Sequence, residues 1–177
     1  MTTKLTIGAW SNKVPGTIGI GLEPGPACDK IINSLALDNF YAEFSVNEIF
    51  SFDMIEHIPT KLILNLFMVW HKVLTFDGRI EIGTQDLESL CNDFLSSDFT
   101  RRKSLINHFY GSQSFQSDFH LTGYTFEILK DYLEQAGFKN VRRCDSLYKN
   151  WCGSLIVEAF KSSSPFPSSS LLSIDRS

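Results

Sequence analysis

A few histidines, acids and glycines are the parts of this sequence that could do chemistry. Asp53, Glu56 and His57 share one short stretch, SFDMIEH, where a carboxylate or an imidazole could take or hold a proton. Each also has a plainer reading. Asp53 can cap the helix that follows it as readily as touch a bound molecule. Glu56 reads as structural, paired with Lys72 across a strand-helix-strand unit. His57 can cap or pack, and His120 divides evenly between loop packing and a place in a site. His71 stands beside Trp70 on an apolar helix, and a single histidine makes no metal site. Gly16, Gly19 and Gly21 spell a loose G-x-x-G-x-G, but the run lies inside a strand and meets Pro24 rather than a helix, so a phosphate cradle is not expected. Cys28, Cys91, Cys144 and Cys152 form no CxxC pair and no His/Cys ligand spacing. They read as reduced thiols, and no metal is expected.

The elements that must position these residues alternate. Lys4 to Ala9 and Thr17 to Glu23 are short β-branched runs with only a turn around Pro15-Gly16 between them. Pro24-Gly25-Pro26 stops the second run, and Lys30 to Asn33 is a brief third. Val46 to Phe52 is the next strand. Pro59 suits the first turn of a helix reaching about Leu74, with Leu62, Leu66, Val69 and Val73 at helical spacing. Asp77-Gly78 ends that unit, and a strand follows over Arg79 to Thr84. Asp86 can cap a helix with Leu87, Leu90, Cys91, Phe94 and Leu95 on one stripe. Thr125 can cap another with Phe126, Leu129, Leu133 and Ala136 on one side, closed by Gly137, with Phe138 folding back on it. Val141 to Leu147 and Leu155 to Phe160, joined through Asn150, Trp151 and Gly153, form an antiparallel pair at the sheet edge. The alternation predicts an α/β fold, a mostly parallel sheet covered on both faces, with ligands at the carboxyl ends of the strands.

The chain has 177 residues, 43% of them hydrophobic, which supports one core and one domain over residues 1–161. Residues 162–177, serine-rich with two prolines, read as a flexible tail. Sixteen basic against 20 acidic residues offer no broad attraction for nucleic acid or anionic lipid. The most apolar stretch, Leu62 to Val73, is broken by Asn65, His71 and Lys72 and is shorter than the roughly 20 residues of a membrane span. The N-terminus shows no secretion signal. A soluble cytoplasmic protein with no membrane or nucleic-acid partner is expected, and nothing in the sequence sets its oligomeric state.

Three stretches in order resemble the small class I S-adenosylmethionine-dependent methyltransferases often associated with surface-sugar biosynthesis. KLTIGAWSNKVPGTIGIGLEPGP, Lys4 to Pro26, is similar to the family's first strand, glycine turn, short Pro-Gly link and second strand. EIFSFDMIEHIP with WHKVLTFDGRIEIGTQDLESL, within Glu48 to Leu90, is similar to its fourth strand with the Leu-Glu-His motif and its fifth strand. HFYGSQ with DFHLTGYTFEILKDYLEQAGF, within His108 to Phe138, is similar to a late segment. The resemblance implies a Rossmann-like three-layer sandwich and a methyltransferase that uses S-adenosylmethionine on oxygen or nitrogen of a small polar acceptor, such as a sugar intermediate.

It also implies site residues. Gly8, Ala9 and Trp10 fall at the turn that brings backbone donors to the cofactor's carboxypropyl group, with Trp10 where the family usually has glycine. The acid that accepts from ribose would stand at Gly21, and Glu23, two residues on, is positioned to substitute. Asn33 lies where an acid commonly meets adenine. Ser51, Phe52 and Asp53 end the fourth strand beside cofactor and acceptor. Asp53, then His57 and His120, are the candidate catalytic residues, and Tyr110, Phe109, Phe115 and Phe119 could wall an acceptor pocket. Trp10 and Gly21 also motivate a competing reading, a methyltransferase-like binding module without cofactor affinity. A nicotinamide-dependent oxidoreductase lacks the glycine-rich turn entering a helix that it would need.

Overall fold

The computed structural model describes residues 2–114, 116–146 and 154–162. Seven strands form one sheet: β1 Lys4–Ile7, β2 Ile18–Gly21, β3 Lys30–Ile31, β4 Val46–Phe52, β5 Leu74–Gln85, β6 Phe138–Arg143 and β7 Ser154–Lys161. Their spatial order is β3-β2-β1-β4-β5-β7-β6. The first five pair in parallel, with Ile7 opposite both Ile20 and Ser51, whereas β7 runs antiparallel to both β5 and β6. The central strands are buried because both faces are covered, as a parallel sheet requires.

Helices α1 Thr60–Val73, α2 Leu87–Ser96, α3 Phe99–Tyr110 and α4 Phe126–Gln135 complete a Rossmann-like three-layer sandwich. In α1 the buried face is Ile63, Leu66, Phe67, Trp70 and Val73, so the core stripe is turned from the expected one and Leu62 and Val69 sit at its margin. Trp70 is fully enclosed, its ring edge-on to Phe67 at 5.7 Å. Leu129, Leu133 and Ala136 bury as expected in α4 and its cap, and Thr125 receives the Ile128 amide. In α2 only Leu90 is buried; Cys91 and Leu95 face solvent, so its stripe covers less than its sequence suggests.

Four departures have physical causes. β5 leaves α1 directly at Leu74, and Asp77-Gly78 bulges the strand rather than ending the unit: β4 advances from Val46 to Glu48 while β5 advances from Leu74 to Arg79, and Asp77 takes a φ of 57°. β6 starts at Phe138, immediately after Gly137 (φ 99°), so Phe138 is the strand's first buried residue. Leu147, Asn150, Trp151, Cys152 and Gly153, and the tail after Ser162, lie outside the described residues. α3 has no strong apolar face, Leu105 being its one buried residue, so periodicity does not announce it; its signal is Asp98, whose side chain accepts from the Arg101 amide, with Gly111 at the stop. The expected Glu56–Lys72 pair does not form. Lys72, at the far end of a 14-residue helix, reaches Asp38 at 3.0 Å, while Glu56 is buried at the opposite end of the sheet. That same end of α1 is closed by buried Lys161, whose Nζ donates to the carbonyls of His71 at 2.7 Å and Leu74 at 2.8 Å.

Asp86 ties three elements together. It leaves β5, caps α2 by accepting from Glu88 N, and receives Arg143 Nη1 of β6 at 2.8 Å. Asp86→Ala is expected to destabilise the fold by about 1–2 kcal/mol, mostly through the lost cap because Arg143 is half exposed. Urea denaturation checks this, and an unchanged midpoint would show that the cap contributes nothing.

Candidate functional site

The carboxyl ends of β1 to β4 open onto one cleft of about 500 Å³. Parallel strands all present the same end, so the residues following each tip converge there. Gly8 and Trp10 follow β1, Leu22 and Glu23 follow β2, Ile32, Asn33 and Leu35 follow β3, and Asp53, Met54 and His57 follow β4. Ser117, Asp118, Phe119 and Leu121 close the near wall.

Of the sequence-derived positions, Gly8, Trp10, Gly21, Glu23, Asn33, Asp53 and His57 share the cleft, and Phe119, expected to wall an acceptor pocket, lines it too. Ala9, Ser51 and Phe52 do not line it. Ala9 is fully buried, Ser51 is buried within β4, and Phe52 is half-buried opposite Gly83. Trp10 is 58% exposed and does not fill the space above Gly8; its indole lies on Gly25, where an added Cβ would come within 2.7 Å of the indole Cδ1. Met54 takes that space, its Cβ and Cγ within 2.8 Å of where a Gly8 Cβ would stand. Hydrophobic residues directly after a strand end, such as Met54, gave no sequence sign of a site role.

The turn after β1 departs from the expected donor cradle. Gly8 N and Ala9 N both donate to Ile20 O, at 2.9 and 3.0 Å, and Trp10 N donates to Gly8 O at 3.0 Å. A short link without a helix holds β1 and β2 so close that their backbones bond to each other past the strand ends. Asn33 Oδ1 accepts from Leu35 N at 3.0 Å, opening the 3-10 segment Ser34–Asn39. Gly21 has no room to spare: a Cβ would stand 3.1 Å from Cys28 Sγ and 3.2 Å from Ala9 O.

Asp53 does not stand at a helix cap. It adopts a φ of 49°, Met54 occupies the N-cap of the 3-10 turn Ile55–His57, and Pro59 that of α1. Beyond that turn a second cavity, about 220 Å³, opens past the end of β5. Glu56, Thr84, Gln85, His108, Tyr110 and His120 give it a polar lining, with Leu87, Leu90 and Phe109 as its apolar part. The His57 and His120 rings mark the boundary, edge-on with centroids 4.9 Å apart, and Leu121 lines both spaces. Burial pushes His120 below the ordinary imidazole range, and neighbouring His57 pushes it the same way. Asp118 is held below the usual carboxylate range by the hydroxyl of Ser112, which donates to its Oδ2. The Asp-Phe-His stretch was the sequence trace of this wall, although only its histidine stood out as chemical.

The sheet order with its antiparallel β7 is matched by solved structures. A methyltransferase from Archaeoglobus fulgidus, described as S-adenosylmethionine-dependent, superposes with a TM-score of 0.60 at 15% identity, over 90% of this chain and 86% of that one. The chain has the class I methyltransferase fold. Within this fold, the 1,6-didemethyltoxoflavin-N1-methyltransferase of Burkholderia thailandensis, solved with 1,6-didemethyltoxoflavin and S-adenosylhomocysteine bound, gives a TM-score of 0.57 at 14% identity, over 90% of this chain and 71% of that one. A possible histamine N-methyltransferase from Thermotoga maritima gives 0.58 at 14%, over 92% and 83%. Other structures of this fold are longer, and the chain spans as little as 49% of one of them. No protein-family model matches the sequence, and no curated protein does. No helix among the described residues is long and apolar enough to cross a membrane.

Proposed function

We propose that the protein binds S-adenosylmethionine in the larger cleft and transfers its methyl group to oxygen or nitrogen of a small polar acceptor held in the smaller cavity. One observation carries the reading: two adjoining spaces at the strand tips, with titratable groups at their junction. The larger, about 500 Å³, lies within the roughly 300–1,000 Å³ range of ligand pockets, and the smaller, about 220 Å³, falls below it and admits only a small molecule.

The residues present fit such a cofactor with substituted contacts. Glu23, exposed at the tip of β2, offers a carboxylate to the ribose hydroxyls. Asn33, its Oδ1 engaged by Leu35 N, keeps its Nδ2 as a donor toward an adenine ring. Ile7, Ile20, Ile32 and Leu35 supply apolar walls. S-adenosylmethionine, when bound, supplies an electrophilic methyl group on a sulfonium. The transfer it would support is an in-line displacement, which would require of the chain that an acceptor lone pair be aligned with that methyl group. The chain's part is to align the acceptor and to take its proton, and Asp53 is placed for that.

Isothermal titration with S-adenosylhomocysteine tests the cofactor half. Heat of binding is expected below about millimolar ligand, and Glu23→Ala is expected to weaken affinity about tenfold, the loss of one charge-assisted hydrogen bond of roughly 1.4 kcal/mol. No heat at millimolar ligand from well-folded protein would sink the reading. One observation favours the second reading, a module that keeps the sheet without the cofactor: the amides after β1 are committed to Ile20 O rather than turned into the cleft. That reading predicts a stable fold and a silent titration.

A further inference from the structure

Glu56, His57 and His120 come together where the two cavities meet, one ligand atom from each lying within 4.8 Å of the others. Backbone contacts hold all three in place. His57 Nδ1 bonds to Phe119 O at 3.0 Å and His120 Nδ1 to His108 O at 2.9 Å. A carbonyl can only accept, so each ring donates from Nδ1, and the neutral ring then presents its lone pair at Nε2, the arrangement that metal-ligating histidines take from their outer partners. The Glu56 carbonyl in turn accepts from Leu121 N at 2.8 Å and Thr122 N at 3.2 Å, which fastens the His120 segment to the turn bearing Glu56 and His57. The Glu56 side chain is 2% exposed, and Asp53 and Asp118 lie close enough to act electrostatically on the His120 ring. Three carboxylates thus surround two imidazoles.

We propose that Glu56, His57 and His120 form a binding site for a divalent transition-metal cation at the junction of the two cavities. Two imidazoles and one carboxylate suit zinc, iron(II), cobalt(II) or manganese(II), whereas calcium and magnesium prefer all-oxygen shells. Bonds of about 2.0–2.1 Å in a tetrahedral shell set ligand atoms roughly 3.3 Å apart, so atoms already within 4.8 Å of one another need only draw together slightly around an ion. Three protein ligands leave a position open, the pattern of catalytic rather than structural sites. Glu56 and His120 line the smaller cavity and His57 the larger cleft, so an ion held by the three would stand between the two spaces. An acceptor oxygen in the open position would be held at that junction. This use of the site rests on the methyl-transfer reading; the site itself does not.

The test is Co²⁺ titration of untagged, chelator-stripped full-length protein, read by visible absorption. The d–d bands of low-coordinate Co²⁺ should rise and saturate at one equivalent. His57→Ala and His120→Ala should each weaken binding more than about 100-fold, beyond the 10–100-fold effect of outer-shell changes, while His71→Gln, far from the site, should leave it unchanged. Should the alanine variants fold poorly, the unmodified protein still decides: Zn²⁺ should raise its melting temperature as a ligand of the native state does. No bands and no thermal shift would overturn the proposal, and so would bands that survive both alanine variants. Titration with S-adenosylhomocysteine on the same sample separates the two claims, because metal bands without cofactor heat uphold the site and sink only the methyl-transfer reading.

Discussion

Alanine at Gly111 is expected to lower the melting temperature by about 10 °C and to carry His120 away from His57. Gly111 ends α3 with a φ of 76°, and a Cβ there would lie 1.8 Å from the Asp118 carbonyl oxygen and 3.2 Å from His120 N. Both neighbours are backbone atoms, so no side-chain rotation relieves the overlap. With ψ at 168°, this positive-φ conformation is one that essentially only glycine adopts, and it alone disfavours alanine by roughly 1–3 kcal/mol, while displacing the 118–120 segment adds about 2 kcal/mol. For a chain this long each kcal/mol moves the midpoint by about 2–4 °C. The displaced segment holds His120 through its amide on Tyr110 O and its ring on His108 O, so stability and site geometry fall together. Gly16→Ala is the control: it shares the left-handed φ, 79°, but a Cβ there meets nothing within 4 Å. It should lose only the conformational part, about 3–5 °C. Equal losses in the two variants would show that the contact at Gly111 does not matter.

Where one residue type in one local pattern fixes geometry, the sequence announces the structure. Val46–Phe52 is a strand with the expected bounds, and Asp86, Thr125 and Gly137 act at the helix ends where they were expected. The alternation of elements also put the ligand cleft at the strand tips, and resemblance added the expected cofactor, which periodicity alone could not assign. What stayed hidden is non-local. The amides after β1 turn toward Ile20 O because the link between β1 and β2 is short, a consequence of spacing between strands rather than of any residue in the turn. Glu56 could not be placed from its neighbours either. Its carbonyl is held by Leu121 and Thr122, more than sixty positions away, and that tertiary staple, not an ion pair with Lys72, decides where its carboxylate lies. His57 and His120 likewise meet only because two loops converge over adjacent strand ends. α3 was invisible for the opposite reason: it buries so little that no apolar period marks it.

Acidification from pH 7.5 to 5.0 is expected to remove about 2 kcal/mol of stability through His71 alone, and the remaining loss should follow as pH falls through about 4. His71 is 8% exposed, edge-on to Phe138 at 5.1 Å and close to the ammonium of Lys161. Burial, reinforced by the Lys161 charge, pushes its ring down to about 4 in the folded protein from 6.5. Between those values the unfolded chain binds a proton that the folded chain refuses, so acid favours unfolding. The neutral ring's contribution is whole above about pH 6.5 and lost as pH falls through about 4. His120, also lowered, works in the same direction, and so do Asp29, Asp93, Asp118 and Glu158 at lower pH, which is why the comparison must be with a variant rather than with a slope alone. His71→Gln keeps a polar group of similar size for the Gly137 backbone and removes the titration. Urea unfolding of both proteins at pH 7.5 and 5.0 should find the variant less stable at the higher pH and the gap narrowed by about 2 kcal/mol at the lower one. A gap independent of pH would mean that His71 accepts its proton in the folded state after all, and that the floor of the sheet beneath Lys161 is open to water.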